Sequence, residues 1–331
     1  MNKSIKIFIK WFAGPVLAAW LFYSLYRQLR LQPDLGTAVA MIKQAPFGSL
    51  AWKFWIVIVL VFVNWGLEAR KWQILVRAME PIGFGRALKS VLCGVTFSLN
   101  LPNRMGEYAG RMLFLQEGNR LRSISLSIAG GIAQLIITML MGCLGIAYLV
   151  FTYTDTVKIM GLSLFWLRIF LYGSIMGTIL TCLFLFRLPW LIRLLEKLPG
   201  TIRFSRYISV LENFGVNFLL RLLLLSFLRY LVFVLQYILL LQVMQVAPDY
   251  WQSFWLVSLM FWVLAIIPSF AIAELGIRGT VAKTLFAFSN NLVGVLAVTF
   301  GIWFINLFIP AFLGSVLILS FKSNRKNETQ P

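Results

Sequence analysis

Apolar runs long enough to enter or cross a bilayer recur from one end of this chain to the other, and they leave few folds open to it. Six of them read as full membrane spans: Ile9–Tyr26, Phe54–Leu67, Ser123–Phe151, Phe165–Phe186, Leu222–Val246 and Leu292–Phe321. A backbone in lipid has no water to bond with, so a spanning segment closes its own hydrogen bonds as a helix. The composition agrees: 60% of the residues are hydrophobic and 12% are charged, where a soluble domain carries about 25% charged residues. The expected fold is an all-α polytopic membrane bundle.

Two further apolar runs are too short to cross. Ala87–Leu101 has about 15 residues, which as a helix cover about 22 Å of a hydrocarbon core of about 30 Å. It ends at Asn100-Leu101-Pro102. Phe254–Ile267 is equally short and ends at Pro268. Each reads as the entering arm of a re-entrant hairpin, with return arms near Glu107–Leu115 and Val281–Phe288. Such irregular backbone is tolerated at membrane depth only inside protein or along a cavity. The alternative takes both hairpins as crossings, giving about eight spans.

The order span, span, hairpin, span occurs twice. It predicts one membrane domain, residues 1–321, built from repeat halves at about 9–151 and 165–321, with a polar tail at 322–331. The first half starts inside and the second outside, the inverted-repeat plan of many transporters. Basic residues set this orientation. Lys3, Lys6 and Lys10 precede the apolar run from Trp11 to Tyr26, which reads as a retained first helix and not a cleaved leader. Glu68, Arg70, Lys71, Arg77, Arg86 and Lys89 mark an inner loop, as do Arg187, Arg193, Lys197, Arg203, Arg206 and Arg221. Lys322, Arg325 and Lys326 put the C-terminus inside with the N-terminus. The segment Arg27–Lys53 falls outside in this scheme and carries four basic residues of its own. Pro310 should kink the last span.

The net charge of +19 follows from such loops, and it suits anionic lipid. A nucleic-acid partner would need a basic soluble module, and the sequence offers none. There is no histidine, which excludes histidine-based acid–base chemistry and histidine-bound metals. Cys93, Cys143 and Cys182 sit inside apolar runs without CxxC spacing, so neither a disulfide framework nor a metal site is expected. No cofactor is implied, and no phosphate-binding GxxxxGK[ST] loop occurs.

The two hairpin tips carry the chemistry. Asn100–Leu115 reads NLPNRMGEYAGRMLFL and Ile267–Gly279 reads IPSFAIAELGIRG. Each holds a proline, then a glutamate, then an arginine four residues later: Pro102, Glu107 and Arg111, against Pro268, Glu274 and Arg278. A charge at a helix centre costs about 2.5–3.5 kcal/mol on insertion scales, so these groups need partners. One reading is two self-neutralising i,i+4 pairs. The other uses the surplus cation, Arg104. Guanidinium matches phosphate bidentately, and half-helix N-termini beyond the breaks at Pro102, Gly106 and Pro268 add positive dipole ends. Asn100, Arg104, Glu107, Arg111, Glu274 and Arg278 are then the candidate headgroup ligands. Arg229, deep in the fifth span with Gln236, joins them unless it snorkels to the surface. Asn64, Glu68 and Gln134 are further candidates for the cavity lining. The glycines of the third span and most aromatic residues, Trp52, Trp55 and Trp72 among them, read as packing and interface anchors.

The first motif, with Leu101, Pro102, Arg104, Gly106, Glu107 and Arg111, resembles that of the lysylphosphatidylglycerol synthase transmembrane-region family, which is flippase-like. EARKWQIL (Glu68–Leu75) is similar to the family's segment after its second span. IPSFAIAELGIRG resembles a late family motif but departs from it: the acid precedes the arginine, and Phe270, Ala271 and Ile272 replace glycines. The resemblance implies a membrane domain that moves or accommodates lipids between leaflets. In bifunctional relatives a soluble domain transfers an amino acid from tRNA to phosphatidylglycerol; this chain is expected to be a stand-alone member without it.

The expected function is therefore translocation of a phospholipid or lipid-linked precursor, in a multi-pass protein of the inner (plasma) membrane, with no catalysis. Assembly as a homo-oligomer is left open. Two other readings remain: an enzyme that modifies a lipid headgroup with Glu107 and Glu274 as acid–base pair, and a scaffold whose Arg187–Arg221 loop docks a protein or lies on anionic lipid.

Overall fold

The computed structural model describes residues 35–98, 106–152, 163–187, 190, 209–211, 214–246, 249–267, 271–289 and 291–327. The expected span Ile9–Tyr26 and the hairpin tips Asn100, Pro102, Arg104 and Pro268 lie outside them. Among the described residues every regular element is helical. They are α1 (Leu35–Gln44), α2 (Ala51–Val76), α3 (Phe84–Ser98), α4 (Gly106–Met112), α5 (Arg122–Thr152) and α6 (Leu164–Phe186). Then follow α7 (Val216–Val243), α8 (Tyr250–Ile266), α9 (Ala271–Leu285), α10 (Leu292–Trp303) and α11 (Ile309–Asn327).

Five helical segments are long and apolar enough to cross a membrane: α2, α5, α6, α7 and Leu292–Ile318. Large apolar side chains face outward along them. On α6 the exposed set includes Phe165, Trp166, Ile169, Met176, Leu180 and Leu183. Such a surface, on helices of this length, suits the hydrocarbon interior of a bilayer. The protein is an all-α polytopic membrane protein.

The short helices pair as hairpins, α3 against α4 and α8 against α9. In the first hairpin the approach is backbone to backbone. A methyl group at Gly106 would collide with the Phe97 carbonyl, and one at Gly110 with the backbone of Cys93 and Gly94. Gly106-x-x-x-Gly110 is thus a small-residue face of the kind that lets membrane helices touch. Gly106, expected as part of a break, is instead the first residue of α4. Gly110→Ala should cost about 1–3 kcal/mol by overpacking. A lowered melting temperature in detergent, against an unchanged value for Gly131→Ala in open space, is the check.

Each hairpin also leans on the other half of the chain. α3 packs on α11, and α8 packs on α5. Gly314 admits Leu92 and Thr96 of α3, while Gly142 admits Trp262 of α8. The hydroxyl of Thr96 donates to the Ala311 carbonyl at 2.7 Å, and the Trp262 indole donates to Ser174 Oγ of α6 at 2.7 Å. α2 and α7, the helices that precede the hairpins, pack on each other at the centre. The contacts of one half are repeated, partners exchanged, in the other.

Several boundaries differ from expectation. α2 does not stop at Leu67 but continues to Val76, because Glu68, Lys71 and Trp72 face inward while Arg70 and Arg77 face out. The expected inner loop there is a helix. α9 begins at Ala271, ten residues before the expected return arm near Val281. α7 begins at Val216, taking Arg221, which is exposed, into its second turn. The segment Arg27–Lys53 contains helix α1, which lies on α10. The helical backbone of α11 passes through the expected tail to Asn327. A π turn, Phe304–Phe308, precedes Pro310 in the last span, where proline gives no N–H and crowds the carbonyl four residues back.

Candidate functional site

Where α2 and α7 cross, a run of buried polar side chains replaces the apolar core. Asn64, Glu68, Lys71 and Trp72 share one face of α2, following the helical repeat. Glu68 is the hub. Its Oε1 accepts from Arg111 Nη2 at 2.7 Å, and its Oε2 accepts from Arg229 Nη1 at 2.9 Å and faces Lys71 Nζ at 2.8 Å. The same Arg111 Nη2 reaches Glu107 Oε2 at 3.0 Å. The i,i+4 pair on α4 therefore forms, but it is not self-contained. Its arginine is shared with α2.

Arg229 extends the network. Its Nε donates to Asn64 Oδ1 at 2.9 Å, and Asn64 Nδ2 donates to Asn306 Oδ1 at 3.1 Å. Asn306 Nδ2 donates to Gln236 Oε1 at 3.2 Å, and Gln236 Nε2 ends the run on the Val57 carbonyl at 3.1 Å. Asn306 lies in the π turn before Pro310. The local widening of the helix thus falls where a side chain enters the network. The run joins hairpin α3–α4 through α2 and α7 to the last span.

Burial decides between function and snorkelling. Glu68, Lys71, Arg111 and Arg229 are 4%, 2%, 4% and 8% exposed. None reaches for an interface. Each arginine also lies over an indole of α2: Arg111 Cζ is 5.2 Å from the Trp72 ring centre and Arg229 Cζ 5.4 Å from that of Trp65. Such stacking favours guanidinium over ammonium. Trp72 is fully buried here and is not the interface anchor expected. Trp52 and Trp55 remain exposed, as anchors would be.

Two cavities adjoin the network. One, of about 260 Å³, is lined by Glu107 of the first hairpin, Arg278 of the second, Arg229 of α7 and Asn306, among aromatic walls such as Phe233 and Trp303. The other, of about 360 Å³, is lined by Glu68, Lys71, Arg111, Tyr108 and Ser127. Glu107, Gln134 and Arg229 line both.

Of the expected site residues, the fold brings Glu107, Arg111, Arg229 and Arg278 to these two cavities. Asn100 and Arg104 lie outside the described residues, and so does the Glu274 side chain, although α9 includes its backbone. Asn64, Glu68 and Gln134, named from sequence as cavity lining, belong to the site, as does Gln236. Lys71, Asn306, Trp65 and Trp72 were missed. Lys71 had a readable signal, since it shares an α2 face with Asn64, Glu68 and Leu75. Asn306 had only its polarity in an apolar run.

A polytopic helical bundle with paired short helices and a buried, ion-paired polar core defines an all-α integral membrane protein. The chain belongs to the family described as lysylphosphatidylglycerol synthase TM region, whose model matches residues 11–314. That membership places it in a membrane, lipid-related role. No curated protein and no solved structure matches it.

Proposed function

We propose that this protein moves a phospholipid or lipid-linked precursor between leaflets of the inner (plasma) membrane, without altering it chemically, with both termini on the cytoplasmic side. One observation carries the reading. Glu107 from one hairpin and Arg278 from the other line a single cavity with Arg229. Two guanidinium groups beside an apolar, aromatic wall suit a phosphate that arrives attached to hydrocarbon. The cavity holds a headgroup, and the acyl chains stay in the bilayer. Intramembrane charges of this kind mark substrate pathways in transport proteins.

The test is translocation of fluorescent phosphatidylglycerol in proteoliposomes, read by accessibility to a membrane-impermeant quencher. Arg278→Gln should slow it at least tenfold while the protein folds and inserts normally, and Arg278→Lys should retain part of the rate. Mass spectrometry of the same lipids should show an unaltered headgroup. A wild-type rate in Arg278→Gln removes the reading, and a modified headgroup replaces it with an enzyme.

A further inference from the structure

The cavity lined by Glu68, Lys71 and Arg111 carries unmet donors of its own. Two buried donors on its lining residues have no hydrogen-bond partner in the protein: Arg111 Nε and Ser127 Oγ. Buried polar groups are normally satisfied, and an orphan carries its full desolvation cost. Arg111 and Ser127 are also more than nine-tenths buried. Charge points the same way. Among the described lining residues, Lys71, Arg111 and Arg229 face two carboxylates, Glu68 and Glu107. Cations outnumber carboxylates on this described lining, which favours an anion there.

We infer that this cavity is a second anion station, distinct from the one beside Arg278, and that it takes the phosphodiester of a lipid headgroup. The inference rests on the lipid-translocating reading above. Arg229 and Glu107 belong to both cavities, so a phosphodiester passing between them never leaves a guanidinium behind. The two stations divide the path into short steps, each with its own cations: Lys71 and Arg111 at one, Arg278 at the other. A phosphodiester has acceptor oxygens for the Arg111 Nε–H and the Ser127 hydroxyl.

The geometry also supplies a clean block. Gly131 lines this cavity and not the other, it is exposed, and a Cβ added there meets nothing within 4 Å. Gly131→Leu therefore adds bulk on this cavity's lining with no atom near its Cβ to displace, and leucine is the better helix former at that position in α5. Gly131→Ala is the small control.

The probe is a phosphatidylglycerol with a photoactivatable headgroup, in phosphatidylcholine vesicles carrying the full chain. Labelled peptides are mapped by mass spectrometry. The wild type should be labelled on two groups of residues, Tyr108 with Ser127–Leu135, and Phe261–Leu264 with Trp303. Gly131→Leu should reduce the first at least tenfold and leave the second, while Gly131→Ala changes neither. Labelling confined to the Arg278 cavity, or unaffected by Gly131→Leu, overturns the second station alone. Absence of labelling at both overturns it together with the lipid reading. Unlabelled phosphatidylglycerol should compete where soluble glycerophosphoglycerol at equal phosphate does not. Equal competition by the soluble ester overturns the lipid as its source.

Discussion

Glu68→Gln is expected to destabilise the protein by about 3–5 kcal/mol, the usual cost of removing one partner from a buried ion pair. The carboxylate holds three cations, Arg111, Arg229 and Lys71, at 2.7–2.9 Å. All are almost fully buried, so none can turn to water when the charge is lost. Glutamine keeps the size but offers one weaker acceptor, and it leaves Glu107 as the remaining carboxylate of the described cluster. At low effective dielectric the repulsion among three cations is large. The double variant Glu68→Gln/Lys71→Gln should recover part of the loss, because the pair then leaves together and nearly balances. A coupling of about 0.5–3 kcal/mol is the expected range for such neighbours. Thermal unfolding of the four proteins in one detergent gives the cycle. A melting temperature for Glu68→Gln equal to wild type would show that this carboxylate is not the counter-ion of the cluster.

The spans were legible because apolar length is a strong signal. Ser123–Phe151 and Phe165–Phe186 meet α5 and α6 within one residue at each end. The hairpins were legible for the complementary reason: an apolar run too short to cross, stopped by proline, has nowhere to go but back. Glu107 and Arg111 stood out as charges beyond such a stop. Glu68 and Lys71 misled because they ended a hydropathy window, and a window does not see that i,i+3 charges pair on one helix face. With Trp72 and Leu75 they form a stripe that, read by period, points inward. Asn306 was beyond reach, since its partners Asn64 and Gln236 lie 242 and 70 residues away in sequence. No local pattern carries contacts of that separation. Trp65 and Trp72 were hidden because belts and guanidinium platforms use the same residue.

Arg229→Lys, conservative in charge, should behave as a severe change. The arginine uses two separate nitrogens in fixed directions, Nε to Asn64 and Nη1 to Glu68, both at 2.9 Å. Its Cζ also lies over the rings of Trp65 and Phe233, 5.4 Å from each centre. An ammonium on a flexible stem cannot reproduce the fork or the stacking. Lysine can keep the contact to Glu68, so the net charge of the cluster is unchanged. It then leaves Asn64 Oδ1 without its donor, a loss of about 1–3 kcal/mol for a buried acceptor. Asn64 is the link from α7 to Asn306 and so to the π turn of the last span. The disturbance should therefore travel along that run, and Asn306→Leu added to Arg229→Lys should cost less than it does alone. Since Arg229 lines both cavities, translocation in Arg229→Lys should fall further than in Arg278→Gln, where one cavity is intact. Melting temperatures of the single and double variants, with lipid translocation of Arg229→Lys and Arg278→Gln side by side, test both halves of this prediction. Additive stability losses would mean that the run from Asn64 to Gln236 is a set of independent bonds, and a higher rate in Arg229→Lys than in Arg278→Gln would remove Arg229 from the path.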